Sequence, residues 1–433
     1  MAKRQLAITA VAFVFAVVVP LAAGAGPAIV IKARHLFDAT TGRMVDPGVV
    51  VVSGTTIAAV GVDAAIPADA RVIDLGDATL LPGFIDAHVH IADEASANRY
   101  RDFYNGMLRF PVEQSFYAEH YAQATLAAGF TTVRVVGADD WIDIGLRNAI
   151  EAGLVQGPRI IAAAHAIGSP GGHCDRNAFP PERVTPADPI RGVCSGPESC
   201  REAVRDQMKW GADVIKICAS GGVLSEADPL KVPQLTAAEL EAIIGEAHRW
   251  GRKVAAHAHG DEAARLAIDA GVDSIEHGSF LSVETLKLMK QKGVYLVPTR
   301  LAAWWVDSHA DSYPAPIARK ARMIASSHAD MMRNAMKIGV PIAFGTDSGV
   351  SPHGMNAKEF SLLVELGMTP TAALLAATRD AAKLLGVDAG TGTLEPGKSA
   401  DLVAVPGNVL ENIAATEHPM LVIARGAVVV RPQ

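Results

Sequence analysis

Phe84-Ile85-Asp86-Ala87-His88-Val89-His90 is the stretch from which the fold is read. Side chains of a strand alternate between faces, so Asp86, His88 and His90 share one side. Two imidazoles on one face can clamp a cation, with Asp86 beneath to orient the rings. The turn Leu81-Pro82-Gly83 precedes the run, and the histidines fall at its far end. The pattern recurs along the chain. Strand-like runs end at His90, Val136, Ile167, Cys218, His259, His277, Thr299 and Asp347, with helical runs between them such as Glu119 to Ala128 and Glu198 to Trp210. Another helical run, Thr371 to Leu385, follows the last strand, and Thr236-Ala237-Ala238-Glu239 is a capping box opening a helix that Gly251 closes. Eight strands alternating with helices imply an α/β fold with a parallel sheet, and eight specifically suggests a closed (β/α)8 TIM barrel. Metal-binding side chains sit at five of the ends: His88 and His90, Lys216, His257, His277 and Asp347. Only a ring whose strand ends share one face brings them together. An open doubly wound sheet would leave them scattered.

Working outward, the two ends of the chain are β-rich. Ile29 to Ile31, Val49 to Val52 and Ile57 to Val60 are short runs punctuated by Thr41-Gly42 and Ser53-Gly54; Asp401 to Val405, Leu421 to Ile423 and Val428 to Val430 repeat the style. A small composite β-sandwich from residues 26–80 and 389–433 therefore flanks a barrel over residues 81–388. Residues 1–25 read as a signal peptide: Lys3 and Arg4, an apolar run from Leu6 to Val19, then Pro20 and small residues. The run is short for a membrane span, so the expectation is a periplasmic or secreted protein without a stable membrane anchor.

Half of the 433 residues are hydrophobic and the formal charge is −7. That suits a large buried core and gives no reason to expect nucleic acid as a partner. Four cysteines fit export: Cys174, Cys194 and Cys200 share a Gly/Pro-rich stretch, and Cys218 lies in an apolar strand. A loop disulfide from Cys174 to Cys194 or Cys200 is the expected crosslink, with the pairing left open.

The strand-end residues describe a two-metal hydrolytic site. Burial at a strand end lowers the Lys216 amine pKa, and a neutral amine can add CO2 to become a carbamate that offers oxygens to two cations. His257 and His259 repeat the same-face spacing. His257 is taken as the ligand, and His259, next to Gly260, as a substrate contact. Asp347 is placed as the catalytic acid–base group. Arg300 follows Val297-Pro298-Thr299 and is expected at the active face of strand seven, where a guanidinium could hold a substrate carboxylate; Lys231 is a weaker candidate.

These motifs resemble the binuclear metal-dependent amidohydrolase superfamily, including Gly397-Lys398-Ser399-Ala400-Asp401-Leu402-Val403 near the end. Gly171-Gly172-His173, Ser220-Gly221-Gly222-Val223 and His353-Gly354-Met355-Asn356 are similar to its imidazolonepropionase-like group, particularly exported prolidase-like dipeptidases. The resemblance implies His88, His90 and Asp347 on one metal, His257 and His277 on the other, Lys216 as a bridging N6-carboxylysine, and His173 in contact with substrate. It implies two divalent ions, zinc first, with manganese, iron or cobalt as alternatives. The expected reaction is hydrolysis of an amide in a small molecule, a dipeptide or N-acyl amino acid, by a hydroxide shared between the metals. A cyclic amide of imidazolone type or a lactone is the rival substrate, and a metal-free scaffold the non-enzymatic one. Oligomeric state, including a homo-oligomer, is left open.

Overall fold

The computed structural model describes residues 27–96, 98–177, 182, 188–226 and 228–431. The signal-peptide reading over residues 1–25 lies outside the described residues. Among the described residues, no helix is long and apolar enough to cross a membrane.

Seven strands precede the alternating region: β1 (Ile29–Ala33), β2 (His35–Asp38), β3 (Arg43–Val45), β4 (Gly48–Ser53), β5 (Thr56–Val60), β6 (Arg71–Asp74) and β7 (Ala78–Pro82). The parallel strands follow: β8 (Phe84–Val89), β9 (Phe130–Val135), β10 (Arg159–Ala162), β11 (Val214–Cys218), β12 (Lys253–Ala258), β13 (Ser274–His277) and β14 (Tyr295–Val297). Last come β15 (Leu402–Pro406), β16 (Leu421–Ala424) and β17 (Ala427–Val430).

The ends of the chain meet in one sheet of order β17-β16-β15-β7-β2-β3, in which β15 pairs antiparallel with β7. A second sheet, β5-β4-β1-β6, lies beside it. Ile31, Val50, Val52, Leu80, Leu402 and Ile423 from these two sheets bury into a common core. Their positions at every second residue explain why β-branched and leucine side chains alternate there.

The parallel strands form two sheets, β10-β9-β8 and β11-β12-β13-β14. Hydrogen bonds join them at both margins. Ile167 donates to Lys216 O and accepts from Cys218 N, linking the segment after β10 to β11. On the other margin Ala343 N donates to Leu296 O, and Ala87 N donates to Phe344 O, so residues 341–348 connect β14 to β8. This eighth segment is not a regular strand, unlike the expectation. Pro341 lacks an N–H, and the ladder is carried by single bridges at Ile342 and Ser348. The third strand is also shorter than expected, ending at Ala162 instead of Ile167. The side chains of these strands are almost uniformly buried, as both faces of a parallel sheet usually are.

The helical expectations hold in type and differ in length. The run from Glu119 begins earlier, as Pro111–Ala127, because Pro111 sits at N1 where its missing N–H costs nothing. The capping box is present: Thr236 accepts from Glu239 N, and Glu239 reaches back to Thr236 N. Gly251 follows that helix with φ +69°.

Candidate active site

The C-terminal ends of the parallel strands open into one cavity of about 380 Å3. His88, His90, Lys216, His257, His277 and Asp347 all line it, as do His173 and His259. The ligand atoms of His88, His277 and Asp347 lie within 4.8 Å of one another. His90 Nε2 is 3.3 Å from Asp347 Oδ1, and His88 Nε2 is 3.5 Å from the same oxygen. The His257 ring faces the His277 ring at 4.6 Å and the His173 ring at 4.3 Å. His277, Thr299 and Asp347 adopt positive φ angles of 68°, 52° and 61°. Non-glycine residues take this conformation at a cost of about 1–3 kcal/mol each, and such strain concentrates where a side chain must be aimed.

Each imidazole is oriented by a partner behind it. His88 Nδ1 donates to Glu276 Oε2 at 2.7 Å, His90 Nδ1 to Gly137 O at 3.2 Å, and His277 Nδ1 to Thr299 Oγ1 at 2.7 Å. These bonds fix the tautomer and leave each Nε2 with a lone pair. His257 is reversed: its Nε2 donates to Gly221 O at 3.1 Å, leaving Nδ1. Burial pushes His88, His257 and His277 well below the usual histidine value, and His90 down to about 4. All four rings are therefore neutral bases near pH 7.

Burial also pushes the Lys216 amine down, against the attraction of Glu276 and Asp347. The Asp347 carboxyl is pushed up by burial, against the pull of Lys216. A set of neutral imidazoles, an amine losing its charge and an acid beside them is what a divalent cation would satisfy, and the residues fit metal ions by that chemistry.

Behind the histidines lies a charged strut. Arg134, almost wholly buried in β9, donates to Glu276 Oε1 at 2.9 Å, to Ser274 Oγ at 3.1 Å and to Ala87 O at 2.5 Å. Glu276 is fully buried and joins Arg134 and His88 of one parallel sheet to β13 of the other. Asp86 is a second buried anchor. It accepts from Thr346 Oγ1 at 2.6 Å, from Asn356 Nδ2 at 2.8 Å and from the backbone of His88 and Thr346. Asp86 was foreseen beneath the histidines, whereas Glu276, Arg134, Thr346 and Asn356 were given no role. A lone arginine inside the apolar run Phe130 to Val135 was the available signal.

His173 shares a 2.5 Å hydrogen bond with Ser225 Oγ, and its backbone N–H donates to Gln234 Oε1. Gly222 is required there, since a Cβ at that position would lie 2.0 Å from the His173 ring. Lys320 pins the same loop by donating to Gly222 O at 3.0 Å and Ser225 O at 2.7 Å. His259 Nδ1 shares a hydrogen bond with Ser279 Oγ at 2.9 Å.

Three expectations are corrected. Arg300 does not line the cavity: its guanidinium donates to Ala325 O at 3.3 Å, and its backbone N–H caps onto buried Glu359 at 2.9 Å. The positive φ of Thr299 turns the chain into the helix Arg300–Ser308 and carries the side chain outward. Lys231 is also absent from the lining and stacks over Phe280 at 4.0 Å. The cysteines pair as Cys174–Cys218 and Cys194–Cys200, so Cys174 joins neither Cys194 nor Cys200. Apart from Lys216, Arg191 is the cation among the described lining residues.

The amidohydrolase family model matches residues 79–429. The chain belongs to the amidohydrolase family. Ochratoxinase of Aspergillus niger is 34% identical over 358 residues, 79% of this chain and 73% of the relative. Imidazolonepropionase of Cutibacterium acnes is 27% identical over 372 residues, 82% of this chain and 83% of the relative. A crystal structure of a Xaa-Pro dipeptidase with methionine bound in its active site superposes with TM-score 0.88 at 39% identity, covering 93% of this chain and 99% of that one. With these neighbours the amidohydrolase has a TIM-barrel-type α/β fold and is a hydrolase acting on C–N bonds. Its family is typically metal-dependent, in keeping with the His/Asp cluster.

Proposed function

We propose that this amidohydrolase is an exported two-metal enzyme that cleaves the amide bond of dipeptides or N-acyl amino acids. We read residues 81–388 as a closed (β/α)8 barrel and residues 26–80 with 389–433 as a composite β-sandwich. The observation that carries the functional reading is the two-sided lining of the cavity. Neutral imidazoles, Lys216 and Asp347 form one wall, while Val223, Leu224, Ala303, Val306 and Ile324 form another. Such a cavity takes an apolar group beside the group being cleaved, and its volume lies in the usual small-molecule range of roughly 300–1,000 Å3. The likeness to ochratoxinase and to a Xaa-Pro dipeptidase supports an amide substrate.

His88, His90, His257, His277 and Asp347 would hold two divalent cations, zinc first, with Lys216 as a carboxylated bridge formed with CO2. When bound, the ions supply Lewis acidity to the carbonyl and to water. The protein's own groups do the rest. Asp347, beside His88 and His90 at the cavity wall, takes a proton at its Oδ atoms and returns it to the departing amine. His173 and His259 stand beside the ligand rings and contact the substrate. Arg191 offers a charge for a substrate carboxylate, which Arg300 does not, since it lies outside the cavity lining. Its pairing with Asp140 is loose, at 3.9 Å.

The test is a screen of protein loaded with zinc, manganese or cobalt against dipeptides, N-acyl amino acids, imidazolone-type cyclic amides and lactones. Turnover should favour free-acid amides with an apolar acyl or side-chain group. Preference for the cyclic compounds, which the imidazolonepropionase likeness would favour, would displace this substrate class.

A further inference from the structure

One of the two disulfides is part of the cavity wall. Cys218 ends β11, two residues beyond Lys216, and Cys174 directly follows His173. Both cysteines line the cavity, and their Cα atoms are 5.8 Å apart. Gly168 makes room for the crosslink, since a Cβ there would lie 2.9 Å from that of Cys174. Cys194–Cys200, by contrast, joins residues six apart at the start of the helix Pro197–Trp210 and does not line the cavity.

The loop that carries His173 is bonded mostly to itself. Gly172 N donates to Ser169 O, Asp175 N to Gly172 O, Asn177 Nδ2 to Gly172 O and Gly171 N to Asp175 Oδ2. Those bonds shape the loop without attaching it to the barrel. Its last backbone bonds to β11 are at Ile167, and Gly168 turns instead toward Gly192 and Cys194. Further along, the loop is held from the side by Gln234 and Ser225, by an exposed ion pair of Arg176 with Asp139 at 2.6 Å, and by the Cys174–Cys218 bond.

We propose that the Cys174–Cys218 disulfide is a positioning device that sets His173 at the active site. It fastens the His173 loop to the strand carrying Lys216, and reducing it slackens that loop and slows turnover. Two electrons and two protons convert the bond to two thiols; a small dithiol supplies both and becomes a cyclic disulfide, or a phosphine supplies the electrons and one water the protons, the water's oxygen ending on the phosphine oxide. The crosslink then acts through His173, so it is a redox-linked control on substrate placement. It rests on the reading of His173 as a substrate contact.

Two arms test it. Hydrogen exchange of the holoenzyme, oxidised and phosphine-reduced, reads the loop without any substrate. Residues 168–177 should exchange about tenfold faster after reduction and in the variant Cys174→Ser/Cys218→Ser, while the strands keep their protection. Equal exchange in all three states overturns the proposal. The kinetic arm compares the same variant with Cys194→Ser/Cys200→Ser. The first should lose about tenfold in kcat/KM with full metal content, and the second should match the parent. Phosphine should bring the parent down to the level of the first variant and leave that variant unchanged. In a His173→Ala background, removing the disulfide should cost nothing more. A further equal loss there means the bond acts through general stability, and the proposal fails. If the oxidised parent hydrolyses no amide at all, the functional reading fails and the exchange arm alone decides the crosslink.

Discussion

The side chains at the strand ends divide into those that face the cavity and those that only border it, and the two kinds respond differently to substitution. Asp347 faces it, with His88, His90 and Lys216 as neighbours. Asp347→Asn keeps the shape and removes the exchangeable proton, so kcat should fall by about 10² to 10⁴. Metal analysis must accompany the rate measurement, and near-normal turnover with metal retained would take Asp347 out of the reaction. Arg191 and Arg300 give a paired test. Arg191→Met should raise KM for free-acid substrates and leave their C-terminal amides alone, a loss of about 1.5–3 kcal/mol for one charge-assisted bond. Arg300→Met should leave both alike, because its guanidinium is spent on Ala325 O outside the cavity. The ligand-type residues were legible in the sequence because strand alternation and the end of each apolar run fix where they point. Arg300 was not, since one backbone angle at Thr299 reverses it. Glu276 was not, since its partner Arg134 lies 142 residues away in the chain and only the packing of the two parallel sheets makes them neighbours.

Among the helices, Ala237–Arg249 shows how the outer layer is fastened and how that fastening depends on pH. Glu246 on this helix takes hydrogen bonds from Arg205 on the helix Pro197–Trp210, and from Arg249 and Trp250. The Arg205 bond, helped by those from Arg249 and Trp250, holds the carboxyl at about 2, from an ordinary 4.5, against the opposing effect of burial. A folded-state value below the unfolded one stabilises the protein above about pH 4.5 and ceases to do so as pH falls toward 2. Both arginines are more than half exposed, so screening reduces the gain to about 1–2 kcal/mol. Glu246→Gln should lower stability by that amount at pH 7 and by almost nothing near pH 2. Denaturant unfolding at the two pH values checks it, and an equal difference at both would rule out the ion pair as the cause. Element types along this layer were readable from periodicity and caps, as Thr236 and Glu239 demonstrate. The eighth parallel segment was less so. Its apolar run, Val340 to Phe344, promised a strand, but Pro341 and the crossing to β8 leave it held by isolated bridges.

At the scale of the whole molecule, the sequence disclosed two β-rich ends without saying how they join. The pairing of β15 with β7 does that, and it puts residues 78–82 against residues 402–406. The cysteines hid their partners for the same reason: the Cys174–Cys218 contact depends on where a long loop lands on β11, which no local pattern encodes. The meeting of the two ends also has a topological consequence. Ile29 and Val428 pack against one core, so the first and last described strands belong to the same small packed unit. Where the chain is opened should then matter little to the pairings within it. A circularly permuted chain, with residue 431 joined to residue 27 by a flexible linker, can be reopened at the exposed turn of Lys292 and Gly293. That turn leads from a helix into β14, and it is the other end of β14, toward Thr299, that reaches the cavity. Such a permutant should fold, bind the same complement of metal and turn over substrate at a rate close to that of the parent.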